Sequence, residues 1–238
     1  CSTSGEALAL ASMSAAAGYG GTMIAVTSSH FGSAEKEFRF PLGYANQRPL
    51  SSHWTVTGSG AFLVQSAEEY RKQNTKSYFS NIRITGVTVG KIVDYGLKDS
   101  QNMGACMAPA AMDTIVQNFQ DMERKEKDYD RIITGDLGSI GRTILFDLIR
   151  EKGYDICEKH MDCGMTIFDK ERQDTHAGGS GCGCAAVTLA SYVLPKLEKG
   201  EWKRVLFVPT GALMSTVSFN EGASVPGIAH GIVLESDA

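Results

Sequence analysis

CSTSGEALALASMSAAAGYGGTMIAVTSS, residues Cys1–Ser29, reads as a thiol at a turn, a helix of small residues, a glycine break and a short apolar strand. Thr3 and Glu6 stand three apart, the spacing of a capping box, which predicts a helix start. Alanine and leucine favour that helix, and small side chains let another backbone pack closely. Cys1 then lies just ahead of a helix N-terminus. Unpaired N–H groups and the positive end of the dipole stabilise a thiolate or a bound anion there. Three readings stay open at this point: a nucleophilic cysteine, the floor of an anion pocket, and a small buried thiol in a helix-packing seam.

The same order recurs later in the chain. GEALALAS (Gly5–Ser12) lies over CAAVTLAS (Cys184–Ser191), and Gly21 over Gly200, at one constant offset. The next strands end IAVTSS and LFVPTG, and each leads through an aromatic-containing excursion into SGAFLVQS or HGIVLES. This predicts an internal duplication: two similar α/β halves with small-residue helices buried between sheets. The predicted division is 1–100 and 101–238, the first half being incomplete at its front. A chain that opens on CSTSG, without Met or a signal segment, is expected to lack upstream sequence.

Working outward, Thr22–His30 reads as a strand and His53–Ser66 as a strand with glycine interruptions. Asn81–Gly96 alternates with period two and reads as a strand bent at Gly86 or Gly90. A helix is predicted from Met103, entered near Pro109, then a strand over Asp130–Gly138 and the helix IGRTILFDLIREKG. MTIFD (Met165–Asp169) looks strand-like, and Lys203–Gly211 and His230–Ser236 supply two more strands. Phe31–Ser52 reads as an irregular aromatic excursion, and Ala67–Asn81 as a polar hairpin tip or short helix.

Composition narrows the class. The 238 residues are 42% hydrophobic, with no apolar run of membrane-spanning length, which predicts a soluble globular protein. A formal charge of -4 and no basic block argue against a nucleic-acid partner. Six scattered cysteines suit a reducing, intracellular compartment better than a disulfide scaffold. Peripheral membrane association through a partner stays compatible with this composition.

The candidate site is geometric. If the duplication holds, the Cys1 turn and the Gly178–Cys184 turn are equivalent helix starts that converge on one cavity, with His160 beside it. The residues singled out are Cys1, Ser2, Asp136, His160, Cys163, Gly179, Ser180, Gly181 and Cys182. In a catalytic reading Cys1 attacks, His160 is the base and the turn supplies oxyanion donors. In a binding reading the same donors hold a carboxylate. Asp136 stands where a strand yields to a glycine turn, a common address for ligand contacts, or else caps the next helix. Cys157, His160 and Cys163 with Cys182 and Cys184 offer soft ligands but lack a C-x2-C knuckle, so no metal is expected. His30 and His230 are pocket candidates, with His53 and His176 weaker. Arg39 and Arg48 suit an anionic ligand or, equally, surface ion pairs.

CSTSGEAL followed by IAVTSSH resembles the nucleophile turn and next strand of the thiolase superfamily, which includes the ketoacyl synthases. That resemblance implies a layered αβαβα sandwich of two duplicated halves. It also implies a reactive cysteine with histidine, asparagine or second-cysteine partners acting on acyl thioesters. CSTS, TSSH, VTGSGA, VGKIVDYG, MGACMAPAA, YDRIITGDL, KHMDCG, AGGSGCGC, PTGALMS and IAHGIV, in that order, further resemble the stage V sporulation protein AD family. This implies a non-enzymatic role in a spore-forming bacterium: binding dipicolinic acid, alone or as its calcium chelate, for transport in sporulation and germination. It implies no cofactor, a location at the spore inner membrane beside membrane-embedded partners, and allows a homodimer. Cys1 matches the superfamily nucleophile, and His160 falls near the first partner histidine. The second partner is missing, since Gly178-Gly179-Ser180-Gly181 stands in its place. Acyl transfer through Cys1 and His160, and a scaffold with a vestigial pocket, are the alternatives.

Overall fold

Helix α1 (Ser2–Ala16) starts one residue after the thiol, with Cys1 as its N-cap. The computed structural model describes residues 1–34, 47–72 and 81–237. No side chain caps the start of α1, so the Thr3–Glu6 box does not form. Instead the Ser4 N–H and hydroxyl both donate to the Cys1 carbonyl, at 3.0 and 2.7 Å, and close the first turn. Strand β1 (Thr22–Ser29) follows, then a short α2 (Phe31–Ala34), β2 (His53–Thr55), β3 (Gly58–Gln65) and α3 (Ala67–Lys72). β1 and β3 pair antiparallel from Thr22 opposite Gln65 to Ser29 opposite Gly58. Part of the aromatic excursion, with Arg39, lies outside the described residues, as does 73–80 of the polar stretch.

The next elements build a five-stranded sheet. They are β4 (Ile82–Thr88), α4 (Met103–Asp121), β5 (Arg131–Thr134), α5 (Gly138–Glu151), β6 (His160–Asp162), α6 (Cys163–Thr166) and β7 (Gly178–Ser180). Helix α7 (Cys182–Thr188) runs through one π turn, Leu189–Val193, into α8 (Leu194–Glu198). Then come β8 (Arg204–Val208), β9 (Thr210–Ala212), α9 (Thr216–Asn220), β10 (Gly227–Ala229) and β11 (Gly231–Ser236). The sheet order is β4-β11-β8-β5-β6, with β5 parallel to β6 and β8, and β11 antiparallel to β8 and β4.

The duplication is visible in this order. α1 leads to the antiparallel β1–β3 pair as α7 and α8 lead to the antiparallel β8–β11 pair. Alternate residues of the sheet serve two cores, as a period-two strand requires. Ile132, Leu206 and Val233 pack with α4 and α5 through Met107, Ala111, Ile115, Leu145 and Ile149. Ile133, Val205, Phe207 and Ile232 pack on the other face with Leu8, Ala9 and Ala11 of α1 and Cys184, Ala185 and Leu189. The sheet is thus covered on both sides, which is why β8 reads RVLFV without polar alternation. β2 and β7 pair in parallel, His53 opposite Gly178 and Thr55 opposite Ser180, and tie the repeated units together.

Three local expectations are corrected. MTIFD is not a strand: β6 ends at Asp162, whose carboxylate caps α6 by accepting from the Met165 N–H at 3.1 Å. α4 begins at Met103 rather than near Pro109, capped by Asn102, which accepts from the Ala105 N–H at 3.2 Å. Pro109 is inside that helix and buried, and the helix continues through it with one backbone donor fewer. The bend in β4 falls at Thr85, beside Gly86, where the register with β11 slips by one residue; Gly90 lies beyond the strand.

Candidate functional site

The two turns do meet. The Cys1 thiol donates to the Gly181 carbonyl at 2.6 Å. Cys1 packs against Gly135 at the end of β5, where an added Cβ would stand 2.8 Å from the Cys1 Cβ. Asp136 lies behind the contact. Its carboxylate accepts from the Gly181 N–H at 3.0 Å and the Thr210 hydroxyl at 2.9 Å, and stands 3.7 Å from the Cys1 backbone nitrogen. The Gly183 N–H donates to Ser29 Oγ at 2.9 Å, and Ser29 in turn donates to the Val56 carbonyl at 2.7 Å. Ser2 is buried against Gly211, Ser180 is buried in β7, and Cys163 and Cys184 are fully buried nearby. Cys182 is partly exposed.

His160 is elsewhere. Its Nε2 lies 3.0 Å from the Thr134 hydroxyl, and its ring meets the Phe146 ring edge-on at 5.2 Å. The Cys1 thiol bonds the Gly181 carbonyl, and the His160 ring bonds Thr134 instead. His230 Nδ1 accepts from the Gly90 N–H at 3.2 Å and its Nε2 faces Glu6 at 3.3 Å. His30 accepts from Gly32 within its own turn, and His176 bonds the Pro49 carbonyl and Asp174. Cys157 accepts from the Arg150 guanidinium at 3.0 Å, and no three His, Cys, Asp or Glu groups converge for a metal among the described residues.

Burial governs the titrating groups. It pushes the Cys163 and Cys184 thiols well above their ordinary value, with neighbouring Asp136 and Asp162 charges adding to the effect. Iodoacetamide on the native protein should therefore label Cys182 and Cys157, both partly exposed, and spare Cys163 and Cys184 until denaturant is added. Peptide mass mapping checks this. Equal labelling of all four in the native state would show the interior to be open.

Burial pushes the Asp162 carboxyl up to about 6, against bonds from Thr134, Leu137 and Gly138 that hold it down. It also pushes His160 down to about 3, the Arg142 guanidinium adding to the effect. The two act oppositely on stability. The His160 contribution is present above about 6.5 and lost as pH falls toward 3. The Asp162 contribution is present below about 3.8 and lost as pH rises through 6. His160→Gln removes the acid-side loss, so between pH 7 and pH 5 the variant should gain about 2 kcal/mol relative to the wild type. Urea melts at the two pH values test it, and parallel pH profiles would contradict it.

Beside the turn lies a groove of about 500 Å3 that sequence reasoning did not assemble. Phe31 and Trp54 stack at 4.6 Å, and Phe168, Thr55, Gln173 and Asp174 complete its walls. A Cβ on Gly179 would stand 3.0 Å from the Phe168 ring, so groove and turn share a wall. Arg48 lies 4.0 Å over the Trp54 ring and bonds Asp174 at 2.8 Å, so its charge is already matched. The signal in the sequence was the aromatic excursion, but Phe31, Trp54 and Phe168 are too far apart in the chain to be grouped from it. Thr134 and Thr210, which hold Asp162 and Asp136, were also missed; Thr134 closes β5 and Thr210 opens β9, and a single threonine at a strand end carries no signal of its own.

The sequence profile of stage V sporulation protein AD matches residues 1–235. The chain belongs to the stage V sporulation protein AD family. Stage V sporulation protein AD of Bacillus subtilis (strain 168) is 43% identical over 235 residues, covering 99% of this chain and 66% of that protein. The chain thus spans just under two thirds of that relative. Two solved structures carry the fold at low identity. The tetronic acid condensing enzyme AbyA1 matches with a TM-score of 0.59 and 13% identity, over 99% of this chain and 66% of that one. The 3-oxoacyl-acyl-carrier-protein synthase III of Aquifex aeolicus VF5 gives 0.52 and 12%, over 97% and 63%. This member of the stage V sporulation protein AD family therefore has the thiolase-like layered α/β fold, and its family is one of sporulation proteins.

Proposed function

We propose that this chain works in sporulation as a binding component, not an enzyme, and that it takes dipicolinic acid as the calcium chelate. Family resemblance supports the ligand. The Cys1–Gly181 contact carries the non-catalytic half of the reading. Acyl transfer needs a sulfur with a base in reach and free donors for the oxyanion. Here the thiol donates to a carbonyl, the Gly181 N–H serves Asp136, the Gly183 N–H serves Ser29, and His160 is held at Thr134.

Those occupied donors, with the thiol in direct contact with the Gly181 carbonyl, also make the junction of the turns a poor carboxylate cradle. The aromatic groove next to them suits a flat ring better, with Phe31, Trp54 and Phe168 as walls. Free dipicolinate is a dianion, while Arg48 is already paired with Asp174, and an unmatched charge against apolar walls is costly. Calcium cancels the ligand charge, so the groove favours the chelate. In this reading the chain acts peripherally at the spore inner membrane beside membrane-embedded components of the same machinery, and a homodimer is compatible with it. No helix among the described residues is long and apolar enough to cross a membrane.

Calorimetry on the full-length protein tests the reading. Dipicolinate with calcium should give saturable heat, at least tenfold weaker without calcium or in Trp54→Leu. Absence of saturable heat in both conditions removes the ligand. Binding that Trp54→Leu leaves intact removes the groove. A mass increase on Cys1 with acyl-CoA thioesters would restore the enzyme reading.

A further inference from the structure

A separate cavity of about 350 Å3 opens at the β6 edge of the five-stranded sheet. Arg131, Arg142, His160, Asp162, Tyr192 and Trp202 are among its walls. Neither arginine has a carboxylate partner among the described residues. Arg131 donates to the Asp130 carbonyl at 2.8 Å and lies 5.5 Å over the Trp202 ring, and Arg142 lies 5.8 Å over Phe146. Arg142 Nε and His160 Nδ1 are both buried with no hydrogen-bond partner. Unmet polar atoms of this kind cost free energy until something meets them.

The neighbours fix what His160 Nδ1 requires. The Thr134 hydroxyl donates to Asp162 Oδ2 at 2.6 Å, and Asp162 also accepts from the Leu137, Gly138 and Met165 N–H groups. With four donors on it, that carboxylate is ionised at pH 7, above its raised value of about 6, so the hydroxyl can only accept from His160 Nε2 at 3.0 Å. Nε2 therefore carries the proton, and Nδ1 presents a bare lone pair that needs a donor. The two guanidiniums need an acceptor. Two positive charges and one committed carboxylate leave a net charge of about plus one, which suits a monoanion.

We infer that this cavity binds a small oxyanion carrying its own O–H, such as a 2-hydroxycarboxylate or a protonated phosphate, with Arg131 and Arg142 on the charge and His160 Nδ1 accepting from the hydroxyl. The volume is at the lower end for small-ligand pockets. Dipicolinate does not meet the description, because at neutral pH it offers acceptors only. The site is therefore distinct from the aromatic groove and stands independently of it.

The test is a titration of full-length protein labelled with 15N-histidine, followed by NMR, with His160→Gln identifying the signal. The probes, each used alone, are glycolate, methoxyacetate, inorganic phosphate and dipicolinate. Glycolate or phosphate should move the His160 Nδ1 resonance upfield and saturate, and the tighter of the two names the source of the oxyanion. Methoxyacetate, which has the carboxylate but no O–H, should bind at least fivefold more weakly than glycolate. Arg142→Gln should weaken the preferred probe at least tenfold, with Arg142→Lys in between; if either variant misfolds, the wild-type comparison of probes decides alone. No shift with glycolate or phosphate, leaving water as the sole occupant, overturns the inference. Equal response to methoxyacetate or dipicolinate overturns it as well.

Discussion

Gly164→Val should destabilise the protein by about 3 kcal/mol or more, read as a fall in the urea midpoint at unchanged slope. Gly164 lies in α6, back to back with β7. A Cβ there would run into the Gly179 carbonyl and stand 3.2 Å from Asp162 Oδ1. The obstacle is main chain, which has no rotamer to yield. On the other side the Gly164 N–H donates to the Gly135 carbonyl at 3.0 Å, so α6 cannot back away without losing the end of β5. A valine must push β7 off β2, unpairing Thr55 from Ser180 and spreading the wall between turn and groove. A loss below about 1 kcal/mol would mean that α6 and β7 are not in contact as described.

Asp136→Ala should cost about 3 kcal/mol, the second-largest effect expected. The side chain is buried and accepts from the Gly181 N–H and the Thr210 hydroxyl, and the Thr210 oxygen in turn accepts from the Asp136 N–H at 3.2 Å. Alanine leaves a buried main-chain donor and a hydroxyl without their acceptor. Asp136→Asn keeps one acceptor oxygen but turns an NH2 toward the remaining donor, so it should fall between wild type and alanine. Thermal melts of the three proteins rank them. An alanine variant as stable as the wild type would show that Asp136 is not the post on which the Gly181 turn is fixed.

Much of the architecture was legible because it rests on repetition and periodicity. The likeness of GEALALAS to CAAVTLAS reflects two helices, α1 and α7, that share one core through small residues, and the strands after them pair in the same antiparallel way. What sequence could not supply was direction. His160 was grouped with Cys1 by type, yet it sits two residues before the end of β6 and its ring turns to Phe146 and Thr134. Asp162, two residues on, carries the structural load by capping α6 and receiving three further donors. MTIFD misled for a related reason. Its β-branched and aromatic residues favour a strand, but a capping carboxylate just upstream starts a helical turn instead. The aromatic groove was hidden because Phe31, Trp54 and Phe168 come from three separate stretches that only the fold gathers.

Intrinsic fluorescence tests the functional account most directly. The chain has two tryptophans, Trp54 in the groove and Trp202 at the sheet edge, so Trp202→Phe leaves Trp54 as the sole reporter. Full-length protein carrying Trp202→Phe is titrated with dipicolinate, in calcium and in chelator. The account predicts a saturable change in Trp54 emission with calcium, and in chelator a midpoint at least tenfold higher. Calorimetric binding with Trp54 emission unmoved, or an equal change in chelator, would contradict it.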